Sequence, residues 1–392
     1  MTEVLIETGC DYRTRNVAGS TEVALDCHAD ATDTLLAMTV DPAFWHGKRV
    51  LLTGNTGFKG AWLTLWLTEL GADVRGFSDE VPTSPSLHDL AALDELVQWV
   101  RADVRDGDAV DAAVRAAAPD VVIHMAAQPL VRRSLREPRE TFATNVMGTV
   151  NVLDAVRRSD SVRVVINVTS DKCYDNGDRG RPFREDDPKG GHDPYSSSKA
   201  CAELVAEAFL HSYFAADPDR ARLACGRAGN VIGGGDWGQD RLIPDIMRGA
   251  LAGAPIEIRN PAAVRPWQHV LNPLSGYLVL AQRLWDDTAV AGGWNFGPDP
   301  GDAQPVSEIV ERVTERWPGG LTWTVDGGPH PPEAATLLLD SSKAHDQLGW
   351  AAVWDLDAGL DATVAWYAAL AQGAQMRPFT SSQIAAFAGA AV

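Results

Sequence analysis

From residue 49 onward, short apolar runs alternate with amphipathic stretches: "RVLLTG" at 49–54, "AWLTLWLTELGA" at 61–72, "DVRGFS" at 73–78, "AAVRAAAPD" at 112–120, "VVIHMAA" at 121–127, "TNVMGTVNVLDAVRR" at 144–158 and "VRVVINVTS" at 162–170. Aliphatic and β-branched runs separated by helical segments predict parallel strands covered on both faces, hence an α/β fold built on a doubly wound sheet. After Arg227 the texture changes to segments punctuated by Gly, Pro and Asn, which predicts a smaller second domain. The expected organisation is a dinucleotide-binding domain over 44–226 and a substrate domain over 227–392, interleaved, with some later segments returning to the first. Residues 1–43 carry eight acids against two bases, Arg13 and Arg15, without periodicity, and are expected to form a poorly ordered extension.

The first run leads directly into "GNTGFKG", which places Gly54, Gly57 and Gly60 at the turn from strand to helix. Glycines at that spacing allow a tight turn and let backbone amides approach a pyrophosphate at the helix N-terminus. The helix that follows has an apolar stripe of Trp62, Leu63, Trp66, Leu67 and Leu70, with Gly71 as its stop signal. Gly54, Thr56, Gly57, Phe58 and Gly60 are therefore expected to cradle a dinucleotide. Asp79 follows the second strand, where a carboxylate would favour NAD. Lys59 and Arg75 are cations that would suit a 2′-phosphate, and NAD is the preferred reading. Asp103 and Val104, after the third strand, are expected near the adenine, and Ala126, Ala127 and Gln128 end the fourth strand beside the cofactor.

Tyr195 and Lys199 stand four apart in "DPYSSSKACAELVAEAF", on one face of a predicted helix. A nearby ammonium lowers a phenol's pKa and makes it a base for a hydroxyl proton while nicotinamide takes the hydride. Ser170 is then a hydrogen-bond partner for the reacting oxygen. Beside it, a strand-forming run stops at Thr169-Ser170-Asp171-Lys172, a hydroxyl, a carboxylate and an ammonium in sequence. The chain has only six lysines among 34 basic residues, so a lysine here points to a group whose charge can change, which guanidinium does not offer.

These residues resemble the extended short-chain dehydrogenase/reductase superfamily. More narrowly, "FWHGKRVLLTGNTGFKGAWL", "HMAAQPLVRRS", "TSDKCYDN", "RAGNVIGGGDW", "DRLIPDIMR", "RPWQHVLNPLSGY" and "WNFGP" resemble the CDP-glucose 4,6-dehydratase group of nucleotide-sugar dehydratases, from about Phe44 to the C-terminus. The resemblance implies a lyase that uses bound NAD, converting CDP-glucose to CDP-4-keto-6-deoxyglucose and water. In it Tyr195 takes the 4-hydroxyl proton, carbon 4 loses a hydride, water is eliminated across carbons 5 and 6, and the hydride returns to carbon 6. Asp171 is the expected proton donor to the leaving hydroxyl. Lys172 replaces the glutamate of the dTDP-glucose dehydratases, and whether it acts as base or as electrostatic stabiliser is left open. Asn230, Arg241 and Arg265 are expected to hold the pyrophosphate and nucleotide, with Arg227 a further candidate cation, and Trp267 and His269 are candidates for the nucleotide pocket. A homodimer through helices of the first domain is implied as well.

The net charge of −19 excludes nucleic acid and anionic membranes as general partners, so an anionic substrate needs a local cluster of cations. No apolar run approaches the roughly 18 residues of a membrane span, the N-terminus lacks a signal-peptide pattern, and five cysteines without a CxxC pair argue against disulfides and zinc. A cytoplasmic enzyme without a metal is expected. The alternatives are another NAD-dependent nucleotide-sugar dehydratase or epimerase and, in a different class, a non-catalytic dinucleotide sensor, which leaves Tyr195, Lys199 and Asp171-Lys172 without a reason to coexist.

Overall fold

The computed structural model describes residues 12–17, 20–25, 39–177, 180–215, 217, 220–328 and 337–391. Residues 1–36 are a unit of their own, in which Tyr12–Val17 and Ser20–Leu25 pair as an antiparallel hairpin. The expectation of poor order over 1–43 otherwise falls mostly outside the described residues.

Seven strands form one sheet, labelled in chain order: β1 Arg49–Thr53, β2 Asp73–Ser78, β3 Gln98–Arg101, β4 Val121–His124, β5 Val164–Val168, β6 Arg222–Ala228 and β7 Gly292–Phe296. All pairings are parallel, in the order β7-β6-β5-β4-β1-β2-β3. The chain turns outward in opposite directions from β1 and β4, and in open α/β sheets ligands bind at that switch point, outside the carboxyl ends of the strands.

Helices cover both faces. They are labelled α1 Phe58–Glu69, α2 Gly107–Ala117, α3 Gly148–Arg157, α4 Pro194–Phe209, α5 Leu242–Ala252, α6 Leu271–Asp286, α7 Leu356–Ala371 and α8 Met376–Ala390. Alternate strand residues enter two cores. Val50, Leu52, Val121, Ile123, Val164 and Ile166 pack with α1, α6 and the C-terminal helices. Leu51, Val122, Val165 and Leu223 pack with Val110, Val114, Val152 and Val156 of α2 and α3. Burial of both faces is why the strands read as unbroken apolar runs.

The predicted stripe of α1 understates its burial, since every residue from Gly60 to Leu67 is buried. The sheet lies on one side, and on the other Trp66 meets Phe387 of α8 edge to face at 5.7 Å, while Trp62 donates to the Gly234 carbonyl.

Beyond Arg227 the chain adds two small sheets. Asn230–Ile232, Val264–His269 and Ala303–Pro305 form one, and Ile256–Ile258 pairs with Trp323–Val325 in the other. It also returns to the main sheet as β7, with α6 buried along nearly its whole length. The segment before α1 is tied down as well, since the Gln282 side-chain carbonyl of α6 accepts from the Trp45 indole and the Asp41 amide.

Candidate active site

β1 ends at Thr53, and the chain turns through Gly54 at φ +74°, where a Cβ would lie 2.7 Å from the Ala126 amide nitrogen. One turn into α1, a Cβ on Gly60 would lie 2.0 Å from the Gly54 carbonyl oxygen, so a side chain there breaks the loop. The loop is fastened to the end of β2: the Thr56 hydroxyl donates to the Glu80 carbonyl at 2.6 Å, and the Ser78 hydroxyl donates to Asn55 Oδ1 at 2.9 Å. Gly57 precedes α1 and no side chain caps it, which leaves the first amides of a twelve-residue helix without side-chain acceptors. Those amides fit a pyrophosphate.

The other expected cofactor residues line the same carboxyl edge. Ala126 donates its amide to the Thr53 hydroxyl at 3.2 Å, and Ala127 follows it. Gln128 is locked, its amide donating to Asn145 Oδ1 at 2.8 Å and its side chain to Thr141 and the Leu130 carbonyl. Val104 is buried against Gly148. Asp103 accepts from the Arg105 amide and side chain, and this bond holds its carboxyl below the usual range. Neither cation considered for a 2′-phosphate stands at the tip of β2: Arg75 bonds Gln98 and pairs with Asp73, and Lys59 reaches Tyr277.

The strand end that carries a hydroxyl, a carboxylate and an ammonium is a short 3-10 turn, Asp171–Cys173, capped by Ser170, whose hydroxyl accepts from the Lys172 amide at 3.2 Å. Its geometry aims Asp171 inward. Asp171 is fully buried, and its Oδ1 accepts from the Ser170 hydroxyl at 2.8 Å and the Lys172 ammonium at 3.2 Å. Its Oδ2 is buried beside Gly229, without a partner among the described residues.

α4 starts at Pro194, where Asp193 caps by accepting from the Ser196 amide at 2.9 Å, and it carries Tyr195 and Lys199 on one buried face. Lys199 donates to the Val168 carbonyl at 3.3 Å, tying α4 to the end of β5, and burial draws its ammonium down to about 8. The phenol of Tyr195 is pushed up to about 12 by burial, against a hydrogen bond with Ser170 and the Arg241 charge that pull it down. The lowered phenol pKa expected from Lys199 is therefore not found: desolvation of the buried phenol outweighs the groups that pull it down.

The substrate residues divide. Arg241 precedes α5, pairs with Asp236 at 3.0 Å and lies close enough to Tyr195 to act on its charge. Asn230 and Arg265 sit on neighbouring strands of the small sheet, where Asn230 pairs with Trp267. Trp267 is buried, its indole donating to the Gln304 carbonyl at 3.0 Å. Two expectations need correction. Arg227 does not bind phosphate: it is 1% exposed and its donors are used by both Glu203 oxygens, the Tyr174 hydroxyl and the Glu185 carbonyl. His269 is a core residue, fully buried between Trp62 and Trp354, and burial drives it down to about 3, so it is neutral.

Sequence reasoning missed Asn145 and Glu203 and gave Lys59 a different place. Asn145, in a π-helical turn Ala143–Met147, donates to the Ser198 hydroxyl and the Gln128 carbonyl and so joins the fourth strand's loop to α4. Glu203 anchors Arg227 and accepts from the Thr169 hydroxyl. Lys59 lies with Lys199, Arg241 and Asp171. Phe183, in the polar segment ahead of α4, stacks on Tyr174 at 4.9 Å, and its amide donates to the Leu338 carbonyl at 2.9 Å.

A glycine loop at the switch point of a parallel sheet, with Ser170, Tyr195 and Lys199 converging at the same edge, defines an extended short-chain dehydrogenase/reductase. Within that class the chain belongs to the GDP-mannose 4,6 dehydratase family, whose sequence pattern matches residues 51–363. It is 50% identical over 341 residues to CDP-glucose 4,6-dehydratase of Salmonella typhimurium, covering 86% of this chain and 95% of that one. With dTDP-glucose 4,6-dehydratase of Xanthomonas campestris it shares 29% over 336 residues, 81% of this chain and 92% of the other. Among solved structures, dTDP-glucose 4,6-dehydratase of Bacillus anthracis in complex with NAD superposes with a TM-score of 0.67 at 21% identity, covering 84% of this chain and 99% of that one. UDP-glucose 4-epimerase of Stenotrophomonas maltophila with bound NAD gives 0.72 at 22%, over 83% and 100%. The expected fold class and family are borne out.

Proposed function

We propose that this chain is an NAD-dependent hydro-lyase that converts CDP-glucose to CDP-4-keto-6-deoxyglucose and water. The observation that carries the reading is Asp171, a fully buried carboxylate with one oxygen held by Ser170 and Lys172 and the other without a partner, beside Tyr195. An epimerase needs no acid for a leaving hydroxyl. The 50% identity to a CDP-glucose 4,6-dehydratase over most of both chains selects the same reaction.

Residues 44–226 hold the cofactor in this reading and 227–392 the nucleotide sugar. The uncapped amides of α1, with Gly54, Thr56, Gly57, Phe58, Gly60, Asp103, Val104, Ala126, Ala127 and Gln128, fit the dinucleotide. When bound, NAD supplies a hydride acceptor and a positive ring near Tyr195. Tyr195 takes the proton from the sugar 4-hydroxyl, with Ser170 hydrogen-bonded to the phenol and Lys199 holding α4 against β5. The new ketone acidifies the proton on carbon 5. Asp171 delivers its proton from Oδ2 to the hydroxyl leaving carbon 6. Lys172, bonded to Asp171, would take the carbon-5 proton as its free amine and return it to carbon 5 as the hydride comes back to carbon 6, while the proton held by Tyr195 resets Asp171. Arg241, Arg265 and Asn230 supply the local contacts for the diphosphate that a chain of net charge −19 lacks globally.

The test is a panel of CDP-, dTDP-, UDP- and GDP-glucose with product mass recorded. Loss of one water from CDP-glucose alone is expected; turnover without water loss means the reaction is not dehydration. A cytoplasmic homodimer is the assembly we infer. Free thiols at Cys173, Cys201 and Cys225 agree with a reducing compartment. Leu135, Phe142, Met147 and Leu204 are exposed on helices that pack against one another and supply an apolar face for a second copy.

A further inference from the structure

The turn that carries Ser170, Asp171 and Lys172 is held at both of its ends. Upstream, the Thr169 hydroxyl donates to Glu203 Oε1 of α4. Downstream, the buried Tyr174 hydroxyl donates to Asn295 Oδ1 of β7 at 2.6 Å. Arg227 of β6 joins the two ends through one side chain. Its Nε and Nη2 donate to the two Glu203 oxygens at 2.9 and 2.7 Å, while its Nη1 donates to the Tyr174 hydroxyl at 2.6 Å and the Glu185 carbonyl at 3.3 Å. Asn295 extends the network, its side-chain amide donating to the Phe183 and Asp340 carbonyls and its backbone amide to Glu185 Oε1. The space for the guanidinium comes from Gly293 of β7, where a Cβ would lie 2.2 Å from Arg227 Nη2.

A buried Arg–Glu pair loses in desolvation much of what it gains in attraction, and apolar residues of the same volume can serve stability as well. What apolar residues do not supply is a set of directed bonds of fixed length linking a strand end, a helix and an edge strand. The oxidation pair is placed by other contacts: the Tyr195 amide donates to the Ser134 hydroxyl at 3.1 Å, and Lys199 donates to the Val168 carbonyl at 3.3 Å. Asp171 and Lys172 differ. Among the described residues their side chains hydrogen-bond only to Ser170 and to each other, within the turn itself. Their aim therefore follows from where the ends of the turn are fixed.

We propose that Arg227 and Tyr174 are positioning residues for the elimination step: the guanidinium fixes both ends of the turn, and through it the direction in which Asp171 and Lys172 meet the sugar. The proposal rests on the dehydratase reading above. Neither residue touches the substrate, and loss of the span between them leaves the oxidation pair in place while the elimination pair drifts.

Two substitutions test the span. Tyr174→Phe removes one hydroxyl and keeps a ring to stack on Phe183, at 4.9 Å, and to face the guanidinium, at 5.1 Å. Arg227→Lys keeps a cation for Glu203 but gives up the fork that reaches Tyr174 at the same time. Each full-length variant, loaded with NAD, is mixed with CDP-glucose for a single turnover, and reduced-nicotinamide absorbance and 4-keto-6-deoxy product are followed in parallel. In the Phe variant, reduction should stay within about twofold of the parent while water loss slows about tenfold to a hundredfold, the scale of a displacement of about 1 Å. Reduced nicotinamide should then build up and persist, and the Lys variant should show the same split. Without ligand, amide hydrogen exchange across 170–174 should quicken in the Phe variant. Equal slowing of both steps overturns the proposal, because a general loosening of the fold does that. So do unchanged exchange in the Phe variant and parent rates in the Lys variant, since a cation alone then suffices. The Phe variant decides the matter by itself if the Lys variant does not fold. A parent protein that neither reduces NAD nor loses water with CDP-glucose refutes the dehydratase reading, and the positioning role falls with it.

Discussion

A carboxylate with one oxygen held and the other bare has a direction, and Asp171 has one. Asp171→Asn keeps the shape and an acceptor for Ser170 but has no proton to give. On mixing with CDP-glucose, the Asn variant should accumulate reduced nicotinamide absorbance without losing water, because the steps before elimination survive. Lys172→Met should also lose the 4-keto-6-deoxy product while NAD binding stays within about threefold, since the pair with Asp171 is what it removes. Unchanged turnover in either variant removes that residue from the elimination. Ser170, Asp171, Tyr195 and Lys199 were legible beforehand because each is placed by its own neighbours, at a strand end or at helical spacing. Lys59, Asn145 and Arg227 were misread or missed because their partners lie 218, 53 and 24 positions away, at Tyr277, Ser198 and Glu203. A lysine inside a phosphate loop looks like a phosphate ligand until its partner's place is known.

Between elements, the Arg227–Glu203 pair joins β6 to α4, with both side chains 1% exposed. Burial works to raise the Glu203 carboxyl, but Arg227 and the hydrogen bond from Thr169 hold it below its ordinary value. Removing one member strands the other's charge, so Arg227→Met should cost about 3–5 kcal/mol. Adding Glu203→Leu should recover most of that loss. Denaturant midpoints of the single and double variants decide it, and a single variant as stable as the parent means the pair is solvated. β1, β4 and β5 were readable because burial on two faces leaves unbroken aliphatic runs. α1 was readable as a helix but not as a helix buried all round, because α8, which closes over Trp66, follows some three hundred residues later. The short strands 256–258 and 323–325 have too few residues to carry a pattern, and only their pairing reveals them.

At the scale of the molecule, two neutral histidines tie stability to pH. His124 and His269 are both drawn down to about 3 by burial, His124 between the Thr53 and Thr149 hydroxyls. In the unfolded chain each takes a proton near pH 6.5, and in the folded chain neither does until about 3. Their contribution is complete above pH 6.5 and is lost as pH falls through that window, each at about 1.4 kcal/mol per pH unit. Thermal unfolding at pH 7.5 and pH 5 should show the loss, and His269→Gln should lessen it; an equal drop in the variant assigns the effect elsewhere. The exposed face of Leu135, Met147 and Leu204 makes a second prediction at this scale. Met147→Glu with Leu204→Glu should halve the solution mass measured by light scattering, and a parent protein that is already monomeric ends the dimer proposal.

β7 reaches the sheet only after the chain has made the strands 230–232, 256–258 and 264–269 and α6. While a ribosome is still extending the polypeptide toward residue 292, β6 has a neighbour on one flank and bare amides and carbonyls on the other. Synthesis at about 5–20 residues per second leaves that edge open for seconds. The newborn enzyme is therefore most adhesive just before it is finished, and a chain cut short at residue 226 inherits the same raw flank permanently.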